Sequence, residues 1–153
     1  MRSLIRAIVF YFLYSSYSFA ITCSQLEGAY VLGQDDDQTY LGFFGSDSAL
    51  DSIMNLYGPH GRDFGSDSVR STYGQFGRDY GSLSANSDYA SSPPIIYKFQ
   101  NQIGYLTVGY KSPGIDLATI DSICTNFTST YDTKNYPPAI SFSYSGLLTS
   151  PPL

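Results

Sequence analysis

The chain of 153 residues has no tryptophan, one histidine, two cysteines and, among thirteen acidic residues, a single glutamate, Glu27. Each shortage excludes something. Aspartate favours turns and glutamate favours helix interiors, so an acid set that is almost all aspartate argues against long helices. The lone histidine, His60, follows Pro59 in a glycine-flanked loop. A catalytic or metal-bound histidine needs a fixed partner, and this setting suits an aromatic substitute in a turn better. Glu27 would need a second carboxylate across a cleft to cleave a sugar, and no spacing in the chain supports such a pair. No Gly-x-Ser-x-Gly elbow occurs, so the common serine-hydrolase signature is missing. One histidine and two cysteines do not make a zinc set. No catalytic residue, cofactor-binding residue or metal ligand is therefore assigned.

Cations are also few. Two of the eight, Arg2 and Arg6, precede the apolar run Ala7–Tyr14, which is followed by Ser15, Ser16 and the small-residue pair Ser18 and Ala20. This is the order of a signal peptide. The run is about half of the ~20 residues a bilayer-spanning helix needs. Residues 1–20 are thus expected to be removed. An uncleaved anchor, or lipidation at Cys23, are the weaker readings. Residues 21–153 then carry six cations against thirteen acids, a net −7. A chain this acidic is a poor polyanion ligand, so nucleic acid is not an expected partner. Secretion, or residence in the periplasm or at the cell surface, is expected, with no transmembrane segment after cleavage.

Cys23 and Cys124 lie outside the leader and bracket most of what looks folded. Two cysteines in an exported chain usually pair. Closing a loop of this size stabilises by ~4–5 kcal/mol in the chain-entropy account. Two unpaired thiols are the alternative.

The clearest pattern is an internal repeat. Residues 51–66, DSIMNLYGPHGRDFGS, and 67–82, DSVRSTYGQFGRDYGS, share nine of sixteen positions, and 83–90, LSANSDYA, starts a third unit that stops short. Asp-Ser at the start of each unit can cap one helical turn. Ile53 and Val69 should face inward, and the glycines should fold each unit back sharply. His60 aligns with Phe76. The adjacent pairs Arg62-Asp63 and Arg78-Asp79 should reach loop groups in neighbouring units. So few units must lean on other structure. Residues 29–44 and 95–108 supply it as β-hairpins, turning at Gly33–Gln38 and Gln100–Gln102. Asp35, Asp36 and Asp37 read as a solvated hairpin turn rather than a calcium loop, which alternates its ligands around a glycine. The phrases Leu50–Ile53 and Ile120–Ile123, each after a hairpin, suggest a duplicated hairpin-plus-turn. The expected fold is therefore mainly β: a small single domain, residues 21–124, of hairpins flanking irregular Gly/Tyr-rich repeat loops with single helical turns. Residues 125–153 read as a Ser/Thr/Pro-rich tail, with one strand-like alternation of Ile140, Phe142 and Tyr144 at 139–145. Asn126-Phe127-Thr128 fits a glycosylation acceptor.

The repeat resembles a family of exported bacterial proteins with units of the form Ser-Ile-x-Asn-x-Tyr-Gly-x-aromatic-Gly-x-x-Tyr-Ser, closed by Asn-x-x-Tyr-Ala, Pro-Pro and a hairpin. The matching residues are Ser52–Gly58, Asn86–Ala90, Pro93-Pro94 and Tyr105–Thr107, within residues 39–110. His60 stands where an aromatic is usual, and Gly65 is inserted before Ser66. The resemblance implies bacterial origin and a repeat-bearing domain, and it brings no catalytic residue. If that origin holds, the Asn126 match is a chance one.

What remains is tyrosine, fifteen in all. The glycine beside most of them predicts packing, with Tyr57 and Tyr73 in equivalent buried sites. Exposed instead, Tyr57, Tyr73, Tyr80 and Tyr89 would form a binding surface. Two functions are carried forward. The first is an exported, non-enzymatic module that binds a protein partner or the cell envelope, or adds structure to it. The alternative is an envelope-directed hydrolase with a site that no motif reveals.

Overall fold

A computed structural model of the protein describes residues 21–125 and residue 127. The leader 1–20, the acceptor Asn126 and the strand-like run at 139–145 lie outside the described residues. The elements in chain order are α1 (Cys23–Leu26), β1 (Tyr30–Leu32), β2 (Tyr40–Phe43), β3 (Ile95–Lys98), β4 (Asn101–Leu106), β5 (Gly114–Ile115) and α2 (Leu117–Ile123). The strands form one five-stranded sheet in the order β2-β1-β3-β4-β5. All neighbours are antiparallel except β4 and β5. The protein is mainly β, as its composition predicts.

Both hairpins form. Between β1 and β2 the Asp35 carboxylate accepts the Thr39 amide at 2.9 Å and the Thr39 hydroxyl at 2.5 Å, which closes the turn as an aspartate-led loop. Asp36 and Asp37 face solvent. The β3–β4 turn falls at Phe99 and Gln100, one residue earlier than the sequence suggests, and both take positive φ, 50° and 65°. That pair of angles matches the right-handed twist of the flanking strands.

Between the hairpins, residues 45–94 contain no named strand or helix. They form a coil of successive turns. The amides of Ala49, Ser52, Asn55 and Gly58 each bond the carbonyl three residues back, at 3.0–3.2 Å. Ser68, Ser71, Gly74 and Gly77 repeat this at 3.2–3.4 Å. One longer step ends each run, where Arg62 bonds the Gly58 carbonyl and Arg78 bonds that of Gly74. Four steps of three residues and one of four make the sixteen-residue period. The residues of the three-residue steps face the coil interior, so they must be small, whereas Arg62 and Arg78 are exposed. A Cβ on Gly77 would lie 2.6–2.7 Å from backbone atoms of Ser71 and Val69. The hydroxyls of Ser52, Ser68 and Ser84 accept the amide two residues on, at 3.1, 3.2 and 3.1 Å, as a side-chain cap does at the start of a single turn.

The coil leans on the sheet through the residue after each of these serines. Ile53, Val69 and Ala85 are buried, and they join Val31, Leu41, Ile96, Leu106 and Ile120 in one hydrophobic cluster. Gly42 (φ +103°) permits the closest approach: a Cβ there would stand 2.7 Å from that of His60 and 2.8 Å from the Asp51 carbonyl. A parallel bridge between Phe43 and Ser52 seals the same edge.

Cys23 and Cys124 are disulfide-bonded with Cα atoms 5.5 Å apart, joining α1 to the end of α2. Asp116 caps α2, accepting the Thr119 amide at 2.8 Å and its hydroxyl at 2.7 Å. Desolvation opposes ionisation there, but these hydrogen bonds outweigh it and hold the carboxyl below the usual carboxylate range. The supposed duplication does not hold. Leu50–Ile53 is a turn ending in buried Ile53, whereas Ile120–Ile123 is the last turn of α2, with Ile123 exposed. The shared apolar-Asp-Ser-Ile pattern folds differently because the first follows the three-residue step and the second follows an N-cap.

Candidate ligand-binding face

The tyrosines of the repeat are not packed. Tyr57, Tyr73 and Tyr89 are 96%, 81% and 85% exposed, and Phe64 and Tyr80 are 78% and 81% exposed. This corrects the expectation that Tyr57 and Tyr73 lie in buried sites. The physical reason is the step of the coil. Gly58, Gly74 and Ala90 occupy interior positions, so the residue before each is turned outward, and adjacent glycine signals a narrow interior rather than a cover for the ring.

The five rings fall at equivalent places. Residues 57, 73 and 89 are sixteen apart, as are 64 and 80. Local hydrogen bonds fix the backbone beneath them: the Tyr57 amide donates to Asn55 Oδ1 at 3.0 Å and the Tyr89 amide to Ser87 Oγ at 3.3 Å. Phe64 of one unit stacks with Tyr73 of the next, with centroids 6.2 Å apart and planes 15° from parallel. Beside this pair opens a groove of about 430 Å³, also lined by Ser66, Asp67, Ser71 and Gln75. Its walls thus combine two aromatic faces with a carboxylate, an amide and hydroxyls.

Neighbouring units are riveted at one recurrent place. Arg70 Nε donates to the Ile53 carbonyl at 3.0 Å, and Asn86 Nδ2 donates to the Val69 carbonyl at 3.2 Å. Both bonds span the same interval along the chain. Arg70 also forms a two-point contact with Asp121 of α2 at 2.6 and 2.8 Å. This corrects the role expected of Arg62 and Arg78. Both are exposed, their guanidiniums lie over Gly65 and Gly81, and neither guanidinium hydrogen-bonds another unit among the described residues; the bond that joins Arg78 to the next unit is to its backbone carbonyl, from the Ser84 hydroxyl at 2.5 Å. Sequence reading missed Arg70 and Asn86, although their shared position one residue after Val69 and Ala85 marks them.

The other candidates are structural. His60 packs edge-on against Tyr40, with centroids 5.1 Å apart, and its Nδ1 lies 3.2 Å from the Asp67 carbonyl oxygen. Its counterpart Phe76 is buried, so position 60/76 docks the coil on the sheet. Glu27 caps the end of α1. It also lies near Lys98, whose amine donates to the Ser24 carbonyl at 2.8 Å; burial lowers the Lys98 pKa, and Glu27 opposes that. Tyr30 and Tyr97 stack across β1 and β3 at 5.6 Å, and desolvation, with Tyr97 second, raises the Tyr30 pKa. Among the described residues no three His, Cys, Asp or Glu side chains are grouped to hold a metal, and no helix is long and apolar enough to cross a membrane.

No protein-family model, curated protein or solved structure matches the chain.

Proposed function

We propose that the protein is an exported, non-enzymatic binding module that holds a component of the cell envelope against the aromatic face of its repeat. The observation that carries this reading is the placement of Tyr57, Phe64, Tyr73, Tyr80 and Tyr89, all exposed, on a backbone tied down by its own turns. Burying an aromatic ring is among the larger favourable contributions available to a small domain. A coil that turns five rings outward leaves that contribution for an encounter with something else. Isolated exposed apolar residues need no explanation, but exposed rings that recur at the same place in successive units, with Phe64 and Tyr73 stacked, support an interaction surface. The disulfide fits an oxidising compartment, and a bacterial exported protein is what the resemblance of the repeat implies.

The test is co-sedimentation of the secreted protein with purified envelope, beside a variant carrying Tyr57→Ala, Tyr73→Ala and Tyr89→Ala. The variant should stay in the supernatant with an unchanged melting temperature. Equal sedimentation of both proteins, or release of soluble fragments from the envelope on incubation, would count against a binding role for this face.

A further inference from the structure

We propose that the ligand of the aromatic face is a linear, uncharged glycan, lying along the coil with its sugar rings on the tyrosines and its hydroxyls in the groove between units. This rests on the binding reading above and adds the chemical class of ligand.

Three observations lead there. The first is the composition of the groove beside Phe64 and Tyr73, where flat apolar rings stand next to Asp67, Gln75, Ser66 and Ser71. A pyranose offers a C–H face and a rim of hydroxyls, which such a surface matches: ring against face, carboxylate and amide against hydroxyls. An apolar peptide side chain would leave Asp67 and Gln75 without partners, which is costly once water is excluded. The second is charge. Asp67 lies in the groove, and Asp51, Asp63, Asp67, Asp79 and Asp88 outnumber Arg62, Arg70 and Arg78 on the same repeat, with Arg70 already paired to Asp121. An acidic polymer meets repulsion there, so the ligand is neutral. The third is periodicity. Tyr57, Tyr73 and Tyr89 recur at the same place in successive units, so the surface presents equivalent contacts in a row. A polymer of equivalent residues can engage several at once, and each added contact is then intramolecular.

Affinity should therefore grow with chain length. Each ring lost should weaken binding about two- to tenfold. Removing the Asp67 carboxylate should weaken it without abolishing it, because the stacking remains.

The experiment is titration of the secreted protein with cellohexaose and chitohexaose, with their disaccharides, and with a polygalacturonate oligomer as the acidic control. Tyrosine fluorescence reports binding directly, since the chain has no tryptophan. The expected result is saturable binding of at least one neutral hexasaccharide, at least tenfold weaker binding of its disaccharide, and none of the acidic oligomer. Tyr73→Ala and Phe64→Ala should each lower hexasaccharide affinity several-fold, with melting unchanged, and Asp67→Asn should lower it less. Three outcomes would overturn the proposal: no binding of either neutral hexasaccharide while envelope still sediments the protein, preferential binding of the acidic oligomer, or loss of envelope binding after the envelope is treated with protease. Each leaves the binding reading standing with a different ligand. Failure to bind envelope and sugars alike would remove both.

Discussion

Replacing Arg70 by alanine should destabilise the protein by about 2–3 kcal/mol, and most of that cost should come from a backbone carbonyl rather than from a salt bridge. Arg70 contacts Asp121 in the geometry of an ion pair, but the Asp121 side chain is 43% exposed. Pairs open to solvent in this way contribute up to about 1 kcal/mol. The Ile53 carbonyl differs. Ile53 has no exposed surface, and Arg70 Nε reaches its oxygen at 3.0 Å from the next unit. Leaving a buried acceptor without a partner costs about 1–3 kcal/mol. Asp121→Ala should therefore cost under about 1 kcal/mol, and Arg70→Ala at least about 1 kcal/mol more than that. In melting temperature the Arg70 variant should fall by roughly 8–12 °C, at about 4 °C per kcal/mol for a domain of this size. The assay is urea unfolding followed by far-ultraviolet circular dichroism with the disulfide intact, on wild type, both single variants and the double variant. The double variant should lose little beyond Arg70→Ala alone, because the two residues share one contact. Equal destabilisation by the two single variants would refute the reasoning, since the ion pair would then account for everything and the bond between units for nothing.

Replacing both cysteines by alanine should cost ~4–5 kcal/mol, read as a large drop in the urea midpoint relative to the oxidised protein. Gly77→Ala should destabilise by about 2–4 kcal/mol, because the new methyl meets fixed backbone of Ser71 and Val69; Gly81→Ala, facing the movable Arg78 side chain, should stay within about 1 kcal/mol in the same assay. Asp116→Ala should cost about 1 kcal/mol through loss of the α2 cap. The folded pKa of Asp116 lies below its unfolded value, so its contribution is complete above the unfolded pKa and is lost as pH falls through the folded one. The stability of wild type should accordingly fall more steeply below about pH 4 than that of Asp116→Asn, measured by urea midpoints across that range.

Much of the framework was legible in the sequence. Alternating β-branched and aromatic residues marked both hairpins, and Asp35 through Asp37 marked the first turn. The cysteine pair was readable because few other roles suit two cysteines flanking a domain in a chain whose first residues have the pattern of a signal peptide. The coil was harder. Its sixteen-residue period is plain in the repeated Tyr-Gly and Gly-Arg-Asp phrases, but the operative unit is the three-residue step carried by Ala49, Ser52, Asn55, Gly58 and Gly61. Those residues share size rather than chemistry, so they do not look like a motif. Missing the step reversed the reading of the tyrosines. A glycine beside an aromatic commonly signals close packing onto the ring; here Gly58 and Gly74 fill the interior of the coil and send Tyr57 and Tyr73 outward. Arg70 escaped notice for a related reason. Met54, Arg70 and Asn86 occupy one structural position with three unlike side chains, and only the fold shows that Arg70 and Asn86 make the same bond.

The central claim is that the outward row of rings is where a ligand lies, and tyrosine nitration with and without saturating envelope tests it most directly. In the free protein Tyr57, Tyr73, Tyr80 and Tyr89 should react readily, and buried Tyr30 should not. With envelope bound, mass spectrometry of the digested protein should show nitration at those four positions reduced several-fold. Unchanged nitration of the four in protein that is demonstrably bound would place the contact elsewhere and contradict the account.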